Sequence, residues 1–227
     1  MARRRSDTAV KERLSRERIV ECAIALADAE GLEAVTIRRL AQDQGVTPMA
    51  LYWHFKDKEL LLDGVAEKLL ADVVLPARTP DEPWYLELRG VLSALLVVLD
   101  AHPAVAELVE IRVLLSERGM EIAEHALGLL RDAGFSAEQA AQLAGHALHS
   151  IISMVTRKPG LMVGEEPALR EERLRLKKSA FAALSPERFP NVVASADAFT
   201  VCGDEPAYFA LGLDLFIEGV RGIQPRT

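Results

Sequence analysis

The sequence predicts an all-α protein of two parts, and three observations carry that prediction. Half of its 227 residues are hydrophobic while only 5% are aromatic, with Ala, Leu and Val dominating, which is a helical composition. Apolar residues return at helical spacing through most of the chain, and Gly, Pro and capping residues punctuate those stretches. The third observation is a pair of short helices set across a tight corner between Thr36 and Lys58. The architecture this predicts is an N-terminal three-helix helix-turn-helix domain, joined by a long fourth helix to a second α-helical domain.

Residues 1–14 form a basic arm. Arg3, Arg4, Arg5, Lys11 and Arg13 stand there without an apolar run behind them, so no signal peptide is expected. Two readings stay open for the arm, a solvated tail or a contact to phosphate or the minor groove. A first helix opens near Ser15, repeats apolar residues at Ile19, Cys22, Ala23 and Leu26, and stops at Gly31. Thr36 can cap a second helix whose Ile37, Leu40 and Ala41 share one face, and Gly45 ends it. Thr47 is another N-cap candidate, and Pro48 suits the first helical position because its missing N–H costs nothing there. A corner of about three residues between two such helices is helix-turn-helix geometry.

The helix after that corner turns Met49, Ala50, Tyr52, Trp53 and His54 outward, with Leu51 and Phe55 inward at i and i+4. Large aromatics with polar tips on an outward face suit a nucleic-acid groove, where they pack on sugars and thymine methyl groups and hydrogen-bond phosphate. The bland alternative makes Tyr52 and Trp53 ordinary core aromatics. The net charge of −7 argues against a chain coated in nucleic acid, but its distribution matters more. Residues 1–58 hold 11 Lys and Arg against 9 Asp and Glu, leaving 16 against 25 for the rest. The positive end is the one with the corner.

Asp57 can cap the fourth helix, whose stripe is Leu61, Leu62, Val65, Leu69 and Val73 and which should run to Pro76. It is the only evident mechanical link between the two halves. Pro76, Pro80 and Pro83 mark a linker, giving domains over residues 15–75 and 76–227. From Trp84 to Leu99 apolar residues cover most sides, so that helix should be buried nearly all round. His102 and Pro103 interrupt it; helices are expected over 104–115 and 117–133. Ser136 and Gln139 form a capping-box signature opening a further helix. Residues 168–184 read as a solvated, charge-rich helix, 185–204 show no period, and a last helix spans 206–221. The last helix and the one opened by Ser136 are apolar yet studded with Ala and Gly, which suits either a close-packed four-helix dimer interface or the core of one protomer.

Cys22 and Cys202 lie far apart in sequence and give no disulfide framework. Uncharged runs such as Gly90–Leu99 fall short of the ~20 residues a membrane span needs, so a cytoplasmic protein without a membrane partner is expected. An enzyme reading would rest on His146 and His149, i and i+3 on one helix, with Glu124 and His125 as further metal ligands, and that is a weak signal. No phosphate loop, nucleophile elbow or HExxH stands in the sequence, and no catalytic residue, metal or cofactor is assigned. Three classes stay open: a ligand-responsive DNA-binding regulator, a helical metalloenzyme, and a DNA binder with no effector.

The stretches AEGLEAVTIRRLAQDQGV and ALYWHFKDKELLL, with Lys58, resemble the DNA-binding domain of the tetracycline-repressor (TetR) family of bacterial transcription regulators over residues 15–75. More weakly, WYLELRGVLSALL, AGFSAEQAAQLAGHALHS and EPAYFALGLDLFIEGV resemble the family's ligand-binding half. The resemblance implies a repressor that binds a palindromic double-stranded DNA operator as a homodimer and is released by a small-molecule effector. It carries operator contacts onto Arg38, Thr47, Pro48, Met49, Ala50, Tyr52, Trp53, His54 and Lys58. Pro48, Met49 and Ala50 stand where the tetracycline-binding members have Gln, Pro and Thr, so the operator must differ.

The same comparison puts Val74 and Val91 where those members grip the drug with His and Asn, Leu95 at a pocket Phe, and Val109 or Glu110 near a magnesium-binding His. A tetracycline–magnesium chelate has little to hold it here. A largely apolar effector with one or two polar groups would meet Val74, Val91, Leu95, Arg112, Val113 and His149.

Overall fold

The computed structural model describes residues 14–77, 79 and 81–223, and the arm residues 1–13 lie outside them. The described residues hold eleven α-helices and no strand. The first four are α1 (Arg16–Glu30), α2 (Ile37–Asp43), α3 (Pro48–Tyr52) and α4 (Lys58–Ala71). Ser15, Thr36 and Asp57 each cap the helix that follows by accepting from a backbone N–H three residues on. Thr47 does not: the Ala50 N–H goes to the Thr47 carbonyl at 2.9 Å, and the hydroxyl makes no capping bond.

The corner after α2 is a Schellman closure. The Val46 N–H returns to the Ala41 carbonyl and the Gly45 N–H to that of Gln42, while Gly45 takes φ +64°, which a side chain would resist. Val46 then packs on the core, and Leu40, Ala41, Leu51 and Phe55 are buried together against Ile19, Ala23, Leu61 and Val65. Burying one face of each short helix in this way stabilises α2 and α3, which are too short to persist alone.

The second part comprises α5 (Trp84–Ala101), α6 (Ala106–Arg112), α7 (Glu117–Asp132), α8 (Ala137–Thr156), α9 (Pro167–Ala182), α10 (Pro190–Ala194) and α11 (Glu205–Gly222). Its centre is α5, packed on α7, α8 and α11. The capping box at Ser136 and Gln139 forms with both bonds present.

Four expectations need correction. Helix α4 stops at Ala71, because β-branched Val73 and Val74 precede Pro76 and the Val73 carbonyl is taken by Arg118 Nη2 at 2.7 Å. Helix α5 exposes Leu86 and Val97, since only its other face meets α7, α8 and α11. Residues 104–115 are no single helix, being split into 3₁₀ turns at Pro103–Val105 and Val113–Leu115 around α6. Residues 185–204 contain α10, which at five residues is too short to show a period.

Nor is α4 the only link between the parts. It packs on α6 and α7, and α1 also packs on the turn Pro103–Val105, where His102 Nδ1 and Asp28 Oδ2 lie 2.7 Å apart. Helix α9 has no buried residue, as its charge pattern led one to expect. Among the described residues no single helix is long and apolar enough to cross a membrane, and α5 joins residues 103–115 across a 103° bend.

Candidate nucleic-acid interface and effector site

The outward face of α3 follows from its inward one. With Leu51 and Phe55 anchored in the core, Met49 is left 67% exposed, Tyr52 46% and Trp53 85%. Thr47 and Pro48 lie exposed on the same side, Ala50 and His54 are half-exposed, and Trp53 occupies the C-cap position. Leaving two large aromatics in water costs hydrophobic free energy that the fold could recover by turning them in. Their exposure reads as a surface reserved for a partner.

Around this face stand cations. Arg38 is exposed near the N-terminus of α2 and makes no ion pair among the described residues. Lys58 opens α4, where the free backbone N–H groups and the helix dipole favour an anion. The neighbouring Arg39 is different. Its guanidinium is spread over Glu30 at 2.6 Å and Asp43 at 3.0 Å, bracing α2 against α1; those two carboxylates hold its proton more firmly than in an ordinary arginine.

The six effector positions are not gathered into one open site. Val91 and Leu95 lie on the buried face of α5 and Val113 is half-buried in the turn after α6. Val74 is 81% exposed, because α4 ends before reaching it and leaves it in an extended stretch. Arg112 is buried but turned toward α4: its Nε donates to Asp63 at 2.7 Å and its Nη2 to Glu59 at 2.8 Å. His149 is exposed on α8, with Nε2 2.8 Å from Glu110 and Nδ1 3.2 Å from the Gly145 carbonyl. Sequence reasoning missed Glu59 and Asp63. The available signal was Arg112 itself, a cation among the apolar residues Leu108, Val109, Ile111 and Val113, which calls for a carboxylate partner where it is buried.

Beside that ion pair lies a cleft of about 190 Å³, lined by Asp63, Glu67, Arg112, Leu115, Ser116 and Glu117. It is acidic, and smaller than the ~300 Å³ at which drug-sized pockets begin. His146 and His149 are both exposed, and among the described residues no group of three or more His, Cys, Asp or Glu is placed to hold a metal.

A helix-turn-helix unit presenting aromatics and cations, seated on a helix that packs against α6 and α7 of the second part, defines a DNA-binding transcription regulator. Residues 19–65 match the family of bacterial regulatory proteins called tetR, and residues 75–223 match the tetracyclin repressor-like C-terminal domain. The tetracycline repressor protein class C of Escherichia coli is 32% identical over 219 residues, covering 95% of this chain and 94% of that protein. The HTH-type transcriptional repressor DrrR1 of Streptomyces coeruleorubidus is 27% identical, covering 96% of this chain and 81% of its own. Among solved structures, ActR of Streptomyces coelicolor in complex with actinorhodin superposes with a TM-score of 0.68 at 29% identity, over 92% of this chain and 97% of that one. This chain belongs to the TetR family, and it is a ligand-responsive transcriptional regulator.

Proposed function

We propose that the chain is a cytoplasmic repressor that binds a palindromic operator as a homodimer and is released by a small, largely apolar effector. The observation that carries this reading is the outward face of α3, with Tyr52 and Trp53 held in water by the burial of Leu51 and Phe55. Arg38 and Lys58 grip phosphate and fix the register. Thr47, Pro48, Met49, Ala50, Tyr52, Trp53 and His54 meet the groove. Met49 and Ala50 offer only apolar contacts, so base reading there goes through thymine methyl groups and shape.

One recognition helix covers too few base pairs to be selective, so two are needed on a two-fold site. Leu211 and Leu215 stand one turn apart on α11 and are exposed, with Gly219 a further turn on. Ala141, Gly145 and His149 form the corresponding exposed row on α8. Gly212 is already used within the protomer, since a Cβ there would strike the Met154 sulfur, whereas Gly145 and Gly219 have open space before them. These rows supply the small and apolar surface of a four-helix interface.

With the chain divided after residue 75, the proposed effector site is in the helical second part, near Val91, Leu95 and Val113. ActR was solved with actinorhodin, and for this chain a small, largely apolar ligand suits the Val91, Leu95 and Val113 side chains. Selection of duplexes from a randomised library by the purified protein, followed by a thermal-shift screen of small molecules, tests both halves. The reading fails if no palindrome is enriched, or if no compound that stabilises the protein weakens its hold on the selected duplex.

A further inference from the structure

Helix α3 is five residues long and ends at Tyr52. Its own hydrogen bonds cannot hold it, so the direction in which Tyr52 and Trp53 point is set by what grips the residues just after it. Those are His54 and Phe55, whose N–H groups both turn back to the Leu51 carbonyl at 2.9 Å. Phe55 is buried and clamped from two sides. Beneath it lies Gly64 of α4, so close that a Cβ there would come 3.1 Å from the ring at Cε1 and 3.2 Å from Val20. Above it lies Arg16, from the first turn of α1, with its guanidinium carbon 4.3 Å from the ring centroid. The same guanidinium donates a long hydrogen bond, 3.4 Å, from Nη1 to the His54 carbonyl.

Arg16 is itself exposed, and its backbone is fixed at the helix start by the Ser15 cap. Neighbouring Glu17 is tied down too, its carboxyl held below the usual range by a backbone hydrogen bond and the Ser15 hydroxyl. A side chain so placed contributes little to the core. What it does is close the ring's open face and occupy the carbonyl at the exit of the recognition helix.

We infer that Arg16 is a positioning residue for operator reading: by holding Phe55 and the His54 carbonyl it fixes the orientation in which Tyr52 and Trp53 meet the groove. A planar guanidinium suits the task because it stacks on the ring and donates from its edge in one geometry, which an ammonium cannot do. The inference rests on the DNA-binding reading above.

The test compares the wild-type chain with Arg16→Ala and Arg16→Lys on two DNAs, the duplex that wild type selects from a randomised library and poly(dI-dC). Arg16→Ala is expected to lower the ratio of the two affinities on the order of 5- to 30-fold over two half-sites, the effect of a surface cation–π contact counted twice. The slope of log affinity against log salt should stay unchanged. Arg16→Lys should recover part of the ratio. Phe55→Leu, which keeps buried apolar bulk but removes the ring, should lower the ratio too, and adding Arg16→Ala to it should cost less than Arg16→Ala does alone, because only the bond to the His54 carbonyl is left to lose. An unchanged ratio in Arg16→Ala overturns the inference. So does an equal loss on both DNAs with a slope shallower by about one unit per half-site, which would make Arg16 a phosphate contact. A wild-type chain that enriches no sequence overturns the DNA-binding reading instead.

Discussion

Arg112 of α6 donates from Nε to Asp63 of α4 at 2.7 Å, and from Nη2 to Glu59 one turn earlier on α4 at 2.8 Å. One guanidinium in a single buried position therefore fixes the rotation of α4 against α6. The rest of α4 that faces inward is apolar, with Leu62, Val65, Ala66 and Leu69 packed in the core. At its other end Arg118 takes the Val73 carbonyl. Since α4 carries Lys58 at its start and Gly64 under Phe55, any change in its tilt reaches the recognition helix. A ligand releases DNA only if it binds one arrangement of α4 better than the other, and a hundredfold loss of affinity needs a difference of ~2.7 kcal/mol.

Replacing Arg112 by Met should loosen the coupling of the two parts without unfolding either. Glu59 is largely and Asp63 partly open to water, so both stay solvated when their partner is gone, and the cost should be about 1–2 kcal/mol rather than that of orphaning a buried charge. Chemical denaturation reads the stability. Operator titration with and without an effector should show retained binding and a weakened response, and an unaltered response would remove the ion pair from the switch.

Tyr52→Ala should cost ~1–3 kcal/mol of binding to the specific operator, because a groove-facing phenol loses both packing and a hydrogen bond. The melting temperature should hardly move, as the ring is half in water. Equal operator affinity in mutant and parent at matched salt counts against the assignment of this face.

Lys58→Ala should behave differently, lowering affinity for all sequences alike. On the proposed reading, the ammonium and the free N–H groups at the start of α4 serve one phosphate, so the salt slope should become shallower by about one unit per half-site. A shift in sequence preference would instead make Lys58 a base reader.

The recognition corner was legible because each of its signals is local. Gly45, Pro48 and the caps at Thr36 and Asp57 act within a few residues, and the alternation of Leu51 and Phe55 with Tyr52 and Trp53 follows from helical spacing. Arg16 on Phe55, His102 on Asp28 and Arg112 on Asp63 were not legible. Each joins residues 38 or more apart in the chain, and spacing says nothing about such partners. Val74 went astray for a related reason: its place depended on where α4 stopped, and helix ends are set by partners such as Arg118 as much as by sequence.

Assembly gives the remaining prediction. Leu211 and Leu215 stand exposed one turn apart on α11 and leave apolar surface in water, the kind of surface that an interface covers. Pairing α8 and α11 with their copies would cover them, with Gly145 and Gly219 letting the backbones approach. Leu215→Glu sets two carboxylates face to face across the two-fold axis of such an interface, or buries them unpaired. Gly219→Trp fills the open space before that helix with a ring. In a lone protomer both positions are exposed, so each variant should fold with unchanged helix content. Sedimentation should show monomers. The selected palindrome should then be bound no better than its half-site, since the second recognition helix no longer arrives with the first. If both variants sediment as dimers, the face formed by α8 and α11 is not the interface, and Leu211 and Leu215 serve some other contact.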